Sequence, residues 1–174
     1  MGLNNVNLEG LRRSLAAMEA DASKAKRTNR LEGVWNLAEG QAQFTAQVKF
    51  EGGEMSLEAD QPSFLGGNGS RPGPLAYCLF GMVSCFASTF ASLAAAEGVK
   101  LKVLRVVAEA EMDFSQVFGL AERPITEGIK VTFQVDSEAS QEKIQQLEAL
   151  ARQRCPAVYC LTNPIPLVTE IKRG

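Results

Sequence analysis

Residues 66–96 read GGNGSRPGPLAYCLFGMVSCFASTFASLAAA, and from Pro74 to Ala96 no side chain is charged. Pro74 suits the first helical position, where the missing N–H would be unpaired anyway. Gly98 suits the position just past the far end. The stretch therefore predicts a helix over about 74–97, roughly 35 Å long at 1.5 Å per residue. That length would cross a bilayer. Gly81, Ser84, Ser88, Thr89 and Ser92 dilute it, however, and amphipathic strands follow at once, so the expectation is a buried central helix of a soluble domain. The glycines before it lack the Gly-Lys-Ser/Thr ending of a P-loop and do not complete GxGxxG, which leaves a flexible loop over residues 61–73.

Working outward, the hydrophobic period changes from element to element. Upstream, Ala42, Phe44, Ala46, Val48 and Phe50 alternate with polar residues, the mark of a half-buried strand. Leu31–Leu37 precedes it across Glu39-Gly40, and Met55, Leu57 and Ala59 follow across Gly52-Gly53, predicting a three-stranded meander. Earlier still, Leu8, Leu11, Leu15 and Met18 recur at helical spacing and predict an amphipathic helix over 7–24 that packs through one stripe.

Downstream, residues 104–114 and 129–136 alternate as strands; Glu109, Glu111 and Asp113 on one face of the first read as a solvated surface. Ser140 caps a predicted helix with the stripe Ile144, Leu147 and Leu150, and a strand over 167–172 closes the chain. The fold class is α+β in the order αβββαββαβ. With 174 residues and 45% hydrophobic content the prior is a single core.

Composition narrows the chemistry. The chain has no histidine, so Ser-His-Asp and Cys-His machinery is excluded. A formal charge of −2 gives no basic field for nucleic acid. The spacings Cys78-x6-Cys85 and Cys155-x4-Cys160 do not match the usual CxxC metal-ligand pairs, and no metal or other cofactor is expected. The first residues lack the charged start and apolar core of a signal peptide, so a cytoplasmic location with reduced thiols is expected.

What remains is thiol chemistry. Cys155 stands before Pro156, where the preceding helix must end and a new one begins, making Cys155 its cap. The free N–H groups of Ala157 and Val158 would then face its sulfur and favour a thiolate, with Arg152 and Arg154 adding charge if they turn that way. The competing reading is an inert buried thiol. Cys85, in mid-helix, reads on local grounds as packing, since desolvation raises a thiol pKa. Cys78 lies seven residues earlier on the same face, too far for a disulfide. Cys160 reads as structural.

Taken together, GGNGSRPGPLAYCLFGMVSCFAS and, seventy residues after Cys85, RCPAVYCL resemble the OsmC/organic hydroperoxide resistance family over roughly residues 29–174. Residues 1–28 then form an N-terminal amphipathic helical extension. Pro74, Cys85, Cys155 and Pro156 match the family pattern one by one. The resemblance implies an OsmC-like fold in an intertwined homodimer with the long helices at its centre. It also implies a thiol-dependent peroxidase acting on organic hydroperoxides, with Cys85 attacking, Cys155 resolving and an external dithiol as reductant.

Two positions depart from that pattern. Leu75 and Ala76 stand where the family's peroxidases carry an acidic residue, and Asn36–Gly40 offers no arginine. Arg71, just before the long helix, is the candidate to stabilise the Cys85 thiolate in its place. The alternative reading is a non-catalytic OsmC-like protein binding a small hydrophobic or thiol-reactive ligand.

Overall fold

The computed structural model describes residues 2–173. The chain divides into two compact units, Leu11–Phe80 and the residues from Gly81 onward with the first ten.

In the first unit the elements are short and their sheet is open. Helix α1 (Leu8–Ala20) buries no residue, so its predicted stripe does not pack: Leu11 and Leu15 are exposed. It also ends before residue 24. The Asp21 carboxylate takes the backbone N–H of Ser23, and this local bond starts a separate 3-10 turn at Ala22–Ala25. Strands β1 (Gly33–Trp35), β2 (Phe44–Phe50) and β3 (Gly53–Ala59) form the antiparallel meander that the alternation predicts. Within these strands only Ala46 is buried, while Val34, Trp35, Phe50 and Met55 are more than half exposed.

The loop after β3 is ordered rather than flexible. Asp60, only 1% exposed, accepts hydrogen bonds from the Ser70 N–H (3.0 Å), the Ser70 hydroxyl (2.7 Å) and the Asn68 N–H (3.3 Å). Backbone N–H groups that could have cradled a phosphate thus close on an internal carboxylate. Glycine is required for this closure at Gly67, where a Cβ would fall 1.9 Å from the Gln61 carbonyl oxygen. The Ser70 N–H and hydroxyl, with the Asn68 N–H, hold Asp60 below the usual carboxylate range against the opposing cost of burial.

The second unit contains the core. Helix α2 (Pro74–Ala96) has the predicted bounds, and beyond it Gly98 adopts φ 72° while Val99 N–H bonds back to the Ala94 carbonyl at 2.8 Å. Its burial corrects the expectation. Met82, Phe86, Phe90 and Ala94 form one stripe at four-residue spacing, joined by Ala95, but only 28% of its most apolar 18-residue window is buried. One chain supplies neighbours for one face of the helix, and the other face stays open. By length and composition α2 would also suffice to cross a membrane.

Against the stripe pack β4 (Leu101–Ala110) and β5 (Ile129–Ser137), an antiparallel pair, and α3 (Gln141–Arg154), whose Leu147 and Ala151 are buried. Phe133 of β5 meets Phe86 edge-on at 4.7 Å and lies 5.2 Å from Phe90. Ser140 caps α3 as predicted, taking the Lys143 N–H at 3.2 Å, and Lys143 pairs with Glu97 at the end of α2. The Asn4 side chain bridges the Val99 carbonyl (2.8 Å) and the Leu101 N–H (2.9 Å), tying the first residues to the start of β4.

After α4 (Pro156–Thr162) the predicted strand over 167–172 does not form. Leu167, Val168 and Ile171 are about nine-tenths exposed. A strand needs a neighbour's backbone groups, and among the described residues none is paired with this segment. The observed order is αβββαββαα.

Candidate functional site

Two of the four cysteines meet inside the second unit. Cys85 lies on α2 one residue before Phe86, at the edge of the buried stripe, and is half-buried. Cys155 is the junction residue between α3 and α4, with φ −77° and ψ 120°, outside the helical region as its place before Pro156 requires. It belongs to the core and is 1% exposed. The Cys155 thiol donates to the Cys85 sulfur at 3.6 Å, and both cysteines are free. A disulfide would need the sulfurs to close by roughly 1.5 Å, to about 2.05 Å.

The capping geometry differs from the sequence reading. Cys155 ends α3 through its own N–H, bonded to Ala151 O at 2.8 Å, but its side chain makes no capping bond to α4. Its sulfur instead turns into the core toward Cys85, where apolar packing outweighs a weak sulfur-accepted bond. The N–H of Ala157, in the first turn of α4, consequently acts on Cys85 rather than Cys155. Arg152 turns to Glu148, 3.9 Å away on the exposed face of α3, and Arg154 is exposed.

Opposing effects set the Cys85 thiol. Burial, the largest, pushes it above the ordinary value, and the Ala157 N–H pulls it down. The neighbouring Cys155, by hydrogen bond and charge, and the charge of Cys160 push it up again, so the balance is upward. Cys160, exposed on α4, is therefore an electrostatic neighbour of the pair, which its reading as a structural residue did not foresee.

Arg71 has another partner. Its Nε donates to the Glu58 carboxylate at 2.5 Å and its Nη1 to the Ser70 carbonyl at 2.8 Å. The pair lines an open groove of about 830 Å³ in the first unit, together with Ser70, Asn36 and Gln47. Glu58 went unnoticed in the sequence because nothing local marks a strand glutamate as the partner of an arginine thirteen residues on.

The fold and the thiol pair define a small α+β protein built around one long apolar helix with two cysteines in contact beside it. The OsmC-like protein family model matches residues 67–170, and the chain belongs to that family. Its fold is similar to that of an OsmC-like protein from Mycoplasma pneumoniae, with a TM-score of 0.59 and 19% identity over 78% of this chain and 88% of that one. It is similar as well to an organic hydroperoxide resistance protein, OsmC, from Legionella pneumophila, with a TM-score of 0.54 and 18% identity over 79% and 92%. An organic hydroperoxide resistance protein from Elizabethkingia anophelis, with thiocyanate bound, gives 0.53 and 21% over 79% and 91%. No curated protein matches the sequence.

Proposed function

We propose that this protein is a thiol-dependent peroxidase that reduces organic hydroperoxides through Cys85 and Cys155. The observation that carries the reading is the 3.6 Å contact between the two sulfurs across seventy residues of sequence. In the proposed cycle the Cys85 thiolate attacks the O–O bond and an alcohol leaves. The resulting sulfenic acid meets Cys155 with little movement, water departs, and an external dithiol reduces the disulfide. The Ala157 N–H favours the attacking thiolate. Phe86 and the apolar stripe favour an organic tail over hydrogen peroxide.

The test is mass spectrometry after one equivalent of cumene hydroperoxide. Two thiols should be lost to a Cys85–Cys155 link within one chain. Cys85→Ser should abolish peroxide consumption, and Cys155→Ser should stop after one turnover with a sulfenic acid trapped by dimedone. Unconsumed peroxide with Cys85 still free would reject the reading.

A second reading rests on the upward balance at Cys85. A thiol held mostly protonated suits an OsmC-like protein that binds a small hydrophobic or thiol-reactive ligand without turnover. Alkylation of Cys85 against pH separates the two, a midpoint well below ~8.5 supporting catalysis and one above it binding. Arg71 could lower that midpoint only by leaving Glu58.

The assembly belongs to the same proposal. The open face of α2, where Phe80 is 72% exposed, together with the uncovered sheet of the first unit, fits a homodimer in the reducing cytoplasm. A mass of 18.8 kDa by light scattering across micromolar concentrations would reject it.

A further inference from the structure

Cys160 is the third thiol at this site and the one that faces solvent. Cys155 is 1% exposed and Cys85 half-buried, so a dithiol arriving from solution has poor access to either sulfur of a disulfide between them. Exchange needs a thiolate to reach a disulfide sulfur directly, and access limits its rate. Cys160 is exposed and lies three residues after Ala157 on α4. Residues three apart share a helix face, so Cys160 follows, on the same face, the residue whose N–H acts on the Cys85 sulfur. A bridge to Cys155 is excluded while α4 is intact. Five residues of helical rise, about 7.5 Å, already exceed the Cα separation a disulfide spans. Cys85 is thus the sulfur open to Cys160.

We propose that Cys160 is a relay thiol that takes over the Cys85 end of the disulfide and presents it at the surface to the external dithiol. The inference rests on the redox reading of the Cys85–Cys155 pair. After oxidation, Cys160 loses its proton to water and its thiolate attacks the Cys85 sulfur. The Cys85–Cys155 bond breaks, its electron pair leaves on the Cys155 sulfur, and Cys155 takes up a proton. No electrons are gained or lost overall, and the disulfide now joins Cys85 to Cys160. One thiolate of the dithiol then attacks the Cys160 sulfur and releases Cys85. The second closes on the mixed disulfide and frees Cys160, so the dithiol is oxidised by two electrons.

The experiment starts from the fully reduced protein, oxidised in parallel by one equivalent of cumene hydroperoxide and by one equivalent of diamide. Free thiols are quenched with N-ethylmaleimide. Chymotryptic cleavage after Tyr159 separates the Cys155 and Cys160 peptides. Both Cys85–Cys155 and Cys85–Cys160 linked peptides are expected from wild type. Reduction of the oxidised protein by dihydrolipoamide should be roughly ten-fold slower or more in Cys160→Ser, with oxidation not slowed. Cys78→Ser should match wild type.

Reduction of Cys160→Ser at the wild-type rate, or absence of the Cys85–Cys160 peptide, overturns the relay. The diamide arm separates the two proposals. If hydroperoxide is not consumed but the diamide-made disulfide still moves to Cys160, the peroxidase reading fails and the relay stands. If hydroperoxide is consumed and Cys160→Ser is reduced normally, the relay alone fails. If neither oxidant yields a Cys85–Cys155 link, both fail.

Discussion

The two units of this chain are held together by different means. From Gly81 onward, Phe86, Phe90, Ala94, Leu147, Ala151 and Cys155 make a continuous apolar core, with Phe133 and Val135 packed on it. Between Leu11 and Phe80 the most buried side chain is a carboxylate, Asp60, and the only buried apolar residue is Ala46. One unit folds around removal of apolar surface from water, the other around a strand ladder and a hydrogen-bonded loop. The thiol pair sits in the first kind of environment, where a sulfur keeps a fixed neighbour and resists ionisation. Arg71 sits in the second, half exposed and paired with Glu58.

The contrast is most easily broken at Phe90, which is fully buried. Phe90→Ala should cost about 3–5 kcal/mol, the usual range for a core phenylalanine, read as a fall in the urea midpoint. Trp35→Ala, on the open sheet, should cost far less in dilute protein. If the proposed dimer covers that sheet, the Trp35 penalty should grow with protein concentration, whereas the Phe90 penalty should not. Equal penalties at every concentration would contradict the division drawn between the units.

A pH titration sharpens the same comparison. The Asp60 pKa is lowered, so its contribution to stability is fully present above the unfolded carboxylate value, about 3.9, and is lost as pH falls through the folded value. Acidification below about pH 4 should therefore loosen the loop over 61–73 before the aromatic core gives way. Asp60→Asn should destabilise at pH 7, by less than Phe90→Ala, and should flatten the acid limb of the profile. Hydrogen exchange at Asn68 and Ser70 is the local readout. Unchanged protection there in Asp60→Asn would show that the carboxylate does not organise the loop.

The units also differ in how much of them the sequence discloses. Pro74 and Gly98 mark the ends of α2 because backbone chemistry at a helix terminus is local, and the same holds for Ser140 before α3. The three-stranded meander is legible for the same reason, through alternation and glycine turns. Burial is not local. An uncharged helix reads as buried, yet which face is covered depends on neighbours, and the segment over 167–172 has strand-like residues without a strand to pair with.

The site was legible in part. Pro156 fixes the break at Cys155, but the direction of the Cys155 side chain, and so the sulfur that receives the Ala157 N–H, is settled by packing around Phe86 and Leu147. The contact between Cys85 and Cys155 spans seventy residues and came to view only through resemblance to a family. Asp60 left a faint signal that went unused: a lone aspartate before a Gly-Asn-Gly-Ser loop, whose free N–H groups need an acceptor.

The smallest effect belongs to the cap of α3, and it tests whether the second unit depends on its core more than on its helix ends. Ser140 satisfies one N–H that the first turn of any helix leaves unpaired, through a 3.2 Å bond from Lys143. Replacing such a cap by alanine typically costs about 1 kcal/mol. Ser140→Ala should therefore lower the urea midpoint slightly, and Ser140→Asp should restore it, since aspartate accepts the same N–H and its charge suits a helix N-terminus. Because Leu147 and Ala151 anchor α3 one and two turns further on, the Cys85–Cys155 contact should survive. The rate of disulfide formation by diamide should then match wild type. A loss as large as that of Phe90→Ala, or a slowed disulfide, would mean that the start of α3 and not the aromatic core positions Cys155.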